Sequence, residues 1–254
     1  MLPRDLNWRV EETCFNAYPS LKQVILGDWL LRFSRGVSRR GNSVNPLGPE
    51  CRDIPDIVAA SEALYHAHGQ PTIFRVPSIA DPALDRELTA RGYTSEGETC
   101  VIYGAIDAVD TRADPAVMLL SAAADEWFAA MVALQGYDEA RRETYRRIVD
   151  AIAIPARFAM LTIDGTPAAL AYGALHDGLF CYESVITDPN RRRQGLGRRL
   201  LATLAGWACD NGAAAACLQV EAHNTAGRAL YASFGLGQEL FRYHYRREPA
   251  IKQA

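Results

Sequence analysis

Arg192, Gly195, Gly197 and Arg198 have the types and spacing of an anion trap. They lie in Thr187-Asp188-Pro189-Asn190-Arg191-Arg192-Arg193-Gln194-Gly195-Leu196-Gly197-Arg198, between a strand-like run at 179–186 and a helix-like run at 196–211. The first N–H groups of a helix have no internal partner, and the helix dipole adds partial positive charge there. Glycines let the backbone approach a phosphate without a Cβ in the way. Arg192, Arg193 and Arg198 add full charges beside that nest of N–H groups. The expected guest is a pyrophosphate, gripped along Arg192, Arg193, Gln194, Gly195, Leu196, Gly197 and Arg198.

The spacing excludes the better-known phosphate loops. There is no Gly-Lys-Ser/Thr, so the turn is not a Walker A loop, and it lacks the third glycine of a dinucleotide-binding turn. Arg192-x-x-Gly195-x-Gly197 instead resembles the acyl-CoA signature of the GNAT N-acetyltransferases. Asn224, then Tyr231 with Phe234-Gly235, extend the likeness, and residues 117–246 resemble a GNAT domain element by element. The resemblance implies acyl transfer from acetyl-CoA, as co-substrate, to an amine.

That chemistry needs a track for pantetheine, a base and an acid. In the family the track is a strand edge whose backbone pairs with the pantetheine amides as an added strand would. The matching residues are Val185, Ile186 and Thr187. An amine must lose a proton to attack, and a base, usually through water, takes it. Glu183 is the first candidate, because it lies in an otherwise apolar strand and a buried carboxylate holds a proton more tightly. On the next strand, where some relatives carry Glu, this chain has Gln219; Glu221 and His223 are nearby substitutes. Tyr231 aligns with the family tyrosine, and a phenol near its ordinary pKa can protonate a departing thiolate. Asn224 is expected to cap its helix and to touch the cofactor. Cys181 and Cys217 have no evident His partner, so a covalent acyl-cysteine is set aside. A non-catalytic acyl-CoA-binding sensor is the alternative to the enzyme; Tyr231 favours the enzyme and Gln219 the sensor.

The elements that position these groups follow from periodicity. Strands are expected at 117–121, 156–163, 167–175, 179–186, 213–220 and 240–246, and helices at 125–134, 139–152, 197–211 and 224–234. The first half reads as a helix at 11–21, a strand at 27–34 with a hairpin partner at 42–47, a helix at 53–68, a strand at 72–76, a helix at 82–91 and a strand at 99–106. That order echoes the second half but has no counterpart of the arginine-glycine turn. Arg35, Arg39 and Arg40 read as a solvated turn, and Trp29 as core.

The expected fold class is α/β with mixed sheets: two GNAT-like domains, each a mostly antiparallel sheet flanked by helices. Residues 1–110 form a degenerate copy and 111–254 the acetyl-CoA-binding domain, with the seam at the acidic, Pro-ended stretch 106–115. The first half is expected to wall one side of the acceptor site.

A net charge of −3 over 254 residues argues against a nucleic-acid binder. No run of about eighteen apolar residues exists, and the N-terminus shows no apolar signal core, so the protein is expected to be cytoplasmic and free of membrane. Six cysteines without paired short spacing read as free thiols, and no His/Cys/Asp cluster has metal-ligand spacing, so no metal is expected. The expected partners are acetyl-CoA and an amine, with a homodimer left open.

Overall fold

The structure, a computed structural model, describes residues 5–250. Residues 1–4, part of the N-terminus read as lacking a signal core, lie outside the described residues. The chain runs α1 (Leu6–Ala17), β1 (Lys22–Leu26), β2 (Trp29–Phe33), β3 (Val44–Pro46), α2 (Ile54–Ala67), β4 (Ile73–Pro77), α3 (Ala83–Ala90) and β5 (Thr94–Ala105). It continues with β6 (Val117–Leu120), α4 (Asp125–Gln135), α5 (Glu139–Asp150), β7 (Ala156–Ile163), β8 (Thr166–His176), β9 (Leu179–Thr187), α6 (Leu196–Asp210), β10 (Ala215–Glu221), α7 (Thr225–Phe234) and β11 (Gln238–Arg247). Among the described residues no helix is long and apolar enough to cross a membrane.

The chain divides into two compact units, each discontinuous in sequence. One holds the described residues through Pro19 together with Val101–Leu240. The other holds Ser20–Cys100 and the chain from Phe241. This differs from the expected cut after residue 110. α1 buries Val10, Cys14 and Ala17 and packs with β8 and β9, whereas the end of β11 pairs with β4.

In the first unit the strands run β10-β9-β8-β7-β6, and β5 lies beside β10. β9 and β10 are parallel, and the other pairs in that run are antiparallel. α6 covers one face: its Leu200, Leu204 and Ala208 fall at helical spacing and are buried, and the Tyr182 hydroxyl donates to Leu201 O at 3.0 Å. α1 and α4 cover the other. There the Tyr172 hydroxyl donates to Ala17 O at 3.1 Å, and Trp127 Nε1 donates to Ala159 O at 3.0 Å. α1 starts five residues earlier than the periodicity predicts, where Asp5 accepts from Asn7 N, a capping bond worth about 1 kcal/mol.

In the second unit the order is β1-β2-β3-β4-β11. β1, β2 and β3 are antiparallel in turn and β3 meets β4 in parallel, the same sequence of pairings as β7, β8, β9 and β10. β1 was not foreseen; its first four residues are exposed, so it carries no burial-driven alternation. The 35–41 turn is solvated only in part: Arg35 and Gly36 are exposed, whereas Arg39 and Arg40 are half-buried. Asn42, buried, accepts from Ser34 N and Gly36 N and donates to Ser38 O, while Arg39 lies 5.2 Å from the Tyr245 ring centroid and pairs with Glu96. Trp29 is core.

Candidate active site

β9 sets the geometry. Its register with β8 passes from Tyr172↔Glu183 to Leu170↔Ile186, so β9 carries one extra residue over that step. The irregularity is a bulge at Ser184, whose φ is +52°. The parallel register with β10 runs from Ala215↔Leu179 to Leu218↔Tyr182 and ends there. Beyond Tyr182, β9 therefore leaves its neighbour, and the edge formed by Val185, Ile186 and Thr187, all half-buried, is set free for another main chain to pair with.

The chain then makes a 3-10 turn, Pro189–Arg191, closed by Asp188 accepting from Asn190 N at 2.9 Å. Arg192, Arg193, Gln194 and Gly195 follow, all exposed. Gly195 caps α6 with φ +75°, a conformation that side chains rarely adopt, and a Cβ there would meet nothing within 4 Å. The turn is thus open to solvent over the free N–H groups of α6, whose first helical bond is Arg199 N to Gly195 O at 3.1 Å. An anionic diphosphate fits such a cradle.

Leu196 is buried beneath the turn. Gly197 is small for a packing reason: a Cβ on it would lie 3.2 Å from Leu230 Cδ2 and 3.7 Å from Thr187 Oγ1. The start of α6, the second half of α7 and the end of β9 therefore converge at this residue. Arg198 donates from Nη1 to Ser233 O at 3.0 Å. Asn224 caps α7, accepting from Gly227 N at 2.9 Å.

Glu183 is 4 % exposed, with Cys181 Sγ 3.8 Å from its Oε1. Tyr231, on α7, is 8 % exposed. Burial, with the charge of Glu183 second, pushes its phenol up to about 12, away from the ordinary value expected from sequence. A carboxylate and a phenol thus share one buried neighbourhood where β9 departs from β10. His223 does not join them. It is 80 % exposed and pairs with the exposed Glu221 at 3.5 Å. Gln219 is half-buried on β10.

Cys14, Cys181 and Cys217 bring their sulfurs within 4.8 Å of one another, all buried. Cys14 lies 167 residues before Cys181, a proximity that no spacing rule could reveal. Its thiol and that of Cys217, with burial, push the Cys181 thiol well above its ordinary value, which disfavours the nucleophilic thiolate. Three buried sulfurs in proximity are no evidence of a metal ion.

Residues 8–247 match the family described as probable histone acetyltransferase Rv0428c C-terminal. The chain belongs to that family, within the GNAT superfamily. As a member of the Rv0428c C-terminal family it is an acyltransferase, with acyl-CoA as co-substrate, on a mixed α/β fold. It is 25 % identical over 244 residues to the uncharacterized N-acetyltransferase YobR of Bacillus subtilis (strain 168), covering 94 % of this chain and 97 % of that one. Over 85 residues it is 36 % identical to the [ribosomal protein bS18]-alanine N-acetyltransferase of Escherichia coli (strain K12), covering 34 % of this chain and 57 % of that protein. Two solved structures share the fold. A GCN5-related N-acetyltransferase from Kribbella flavida has a TM-score of 0.74 at 19 % identity, covering 98 % of this chain and 97 % of that one. A tandem GNAT protein from the clavulanic acid biosynthesis pathway has a TM-score of 0.64 at 12 % identity, covering 84 % and 76 %.

Proposed function

We propose that this acyltransferase moves an acetyl group from acetyl-CoA to an amine nitrogen by direct attack. The observation that carries the reading is the parting of β9 from β10 after Leu218↔Tyr182, which leads a free strand edge into the open, glycine-capped start of α6. Val185, Ile186 and Thr187 offer main-chain groups to the pantetheine amides. The N–H groups at the start of α6, with Arg192 and Arg193 exposed beside them, take the diphosphate. Gln194, Gly195, Leu196 and Gly197 supply that backbone; Arg198 adds charge while bonded to α7, and Asn224 adds a polar tip at its start.

Glu183 takes the proton of the attacking amine, directly or through water. The nitrogen bonds to the thioester carbon, the carbon–sulfur bond breaks, and the pair leaves on sulfur. Tyr231 gives its proton to that thiolate. Its raised pKa keeps the phenol protonated until it is needed. Glu183 is preferred to Glu221 as base because it is buried near Tyr231, whereas Glu221 is exposed.

We read the N-terminal part as a second copy without a cofactor turn. Its strand pairings repeat those of β7 to β10, and α2 starts from Asp53 at φ +50° as α6 starts from Gly195. Asp53 and Asp56 lie at that start, while Glu50 is paired with Arg52, and the two aspartates repel a phosphate.

The test is release of CoA thiol, followed with a thiol dye, from acetyl-CoA over a panel of primary amines. Amine-dependent turnover supports the reading. Calorimetric binding of acetyl-CoA with no turnover on any amine, or no binding at all, overturns it.

A further inference from the structure

The bulge in β9 rests on a serine in an unfavourable conformation. Ser184, at φ +52°, is a non-glycine residue in the left-handed region, uncommon in mid-strand and maintained only by its surroundings. What maintains it comes from α5. The hydroxyl of Tyr145 donates to Ser184 Oγ at 2.9 Å. The Tyr145 ring is itself held: it stacks on Phe128 with centroids 6.0 Å apart at 16°, and Tyr137 meets it edge-on at 5.5 Å. Tyr145 is 3 % exposed, so its hydroxyl has little freedom to turn elsewhere. Glu183 is the residue before Ser184 and lies near enough for its charge to act on the Tyr145 phenol.

We infer that Tyr145 is a positioning residue for the acyl-donor site: its hydroxyl pins Ser184 in the bulge, and the pinned bulge turns the edge from Val185 to Thr187 away from β10. Without that bond the segment is free to relax toward a regular strand, and a one-residue slip would exchange the faces of every side chain beyond it. Tyr145 touches neither donor nor acceptor in this scheme; it acts through Ser184. The inference rests on the reading of that edge as the pantetheine track.

Tyr145→Phe keeps the ring contacts and removes only the donor. Ser184→Ala removes the acceptor and leaves the strained φ in place. The measurements are amide hydrogen exchange at Val185, Ile186 and Thr187 in the unliganded protein, the calorimetric Kd for CoA, and kcat and KM for acetyl-CoA. Each variant is expected to speed exchange at those three amides and to weaken CoA by about three- to tenfold, the worth of one buried hydrogen bond. KM should rise in step, with kcat within about twofold. The double variant should do no more than either single one, because both remove the same bond. A fall in melting temperature with unchanged exchange and Kd makes Tyr145 a packing residue and overturns the inference. If the wild-type protein binds no CoA, the donor reading fails separately, and exchange at the three amides alone decides whether Tyr145 holds the bulge.

Discussion

Arg198 and Ser233 are joined: Arg198 Nη1 donates to the Ser233 carbonyl at 3.0 Å, and the guanidinium lies 5.6 Å from the ring centroid of Phe234. Arg198 thereby holds the last turn of α7, two residues from Tyr231. With Gly197 beneath Leu230, it ties the start of α6, where we propose the diphosphate binds, to α7, which carries the proposed proton donor. On that proposal the same contacts assemble both groups.

Replacing Tyr231 with Phe should lower kcat by about 100-fold while leaving the Kd for CoA within about twofold, since a general acid acts only in the reaction. Pre-steady-state and calorimetric measurements on the same preparation check this.

The alkaline limb of stability carries the same residue's signature. The phenol's folded pKa of about 12 lies above its unfolded value, so the stability that Tyr231 contributes is complete below about pH 10 and is lost as pH rises towards 12. Wild-type protein should lose on the order of 2 kcal/mol more than Tyr231→Phe across that window in denaturant titrations.

Glu183→Gln should cost about 100-fold in kcat. It should also lower the pKa of the Tyr231 phenol in part, because burial, the larger cause of its rise, remains and only the charge of Glu183 is removed. Ultraviolet titration, with the Tyr231→Phe protein subtracted, reads that shift. An unchanged titration would separate the two groups.

The two glycines of the turn should fail differently. Gly195→Ala forces a side chain into φ +75° and should cost about 1–2 kcal/mol of stability. Gly197→Val pushes against Leu230 and should cost about 1–3 kcal/mol through overpacking. It should also lower kcat, since α7 moves with Leu230. Chemical denaturation and steady-state assays on both variants test the distinction.

Much of this was legible in the chain. The run from β7 to β11 follows apolar periodicity closely, because these strands and helices are buried on one or both faces. The turn at Arg192, Gly195 and Gly197 was visible because glycine at fixed spacing has few structural excuses. Other features were silent. β1 is exposed and so leaves no pattern. The Ser184 bulge is a serine in an apolar strand, and nothing local predicts its φ. The raised pKa of Tyr231 depends on Glu183, 48 positions earlier, meeting it in space. Cys14 reaches Cys181 only because α1 joins the unit formed mainly by the second half.

The discontinuous make-up of both units bears on how the polypeptide is born. β8 and β9, on which α1 packs, follow it some 160 residues later in the chain, on the order of ten seconds at usual elongation rates. Meanwhile its apolar stripe of Val10, Cys14 and Ala17 has no partner. β4 waits about as long, since its antiparallel neighbour β11 also lies far along the chain from it. A nascent chain stalled anywhere before residue 240 is therefore incomplete in both units at once and offers quality-control proteases two unfinished units rather than one finished domain.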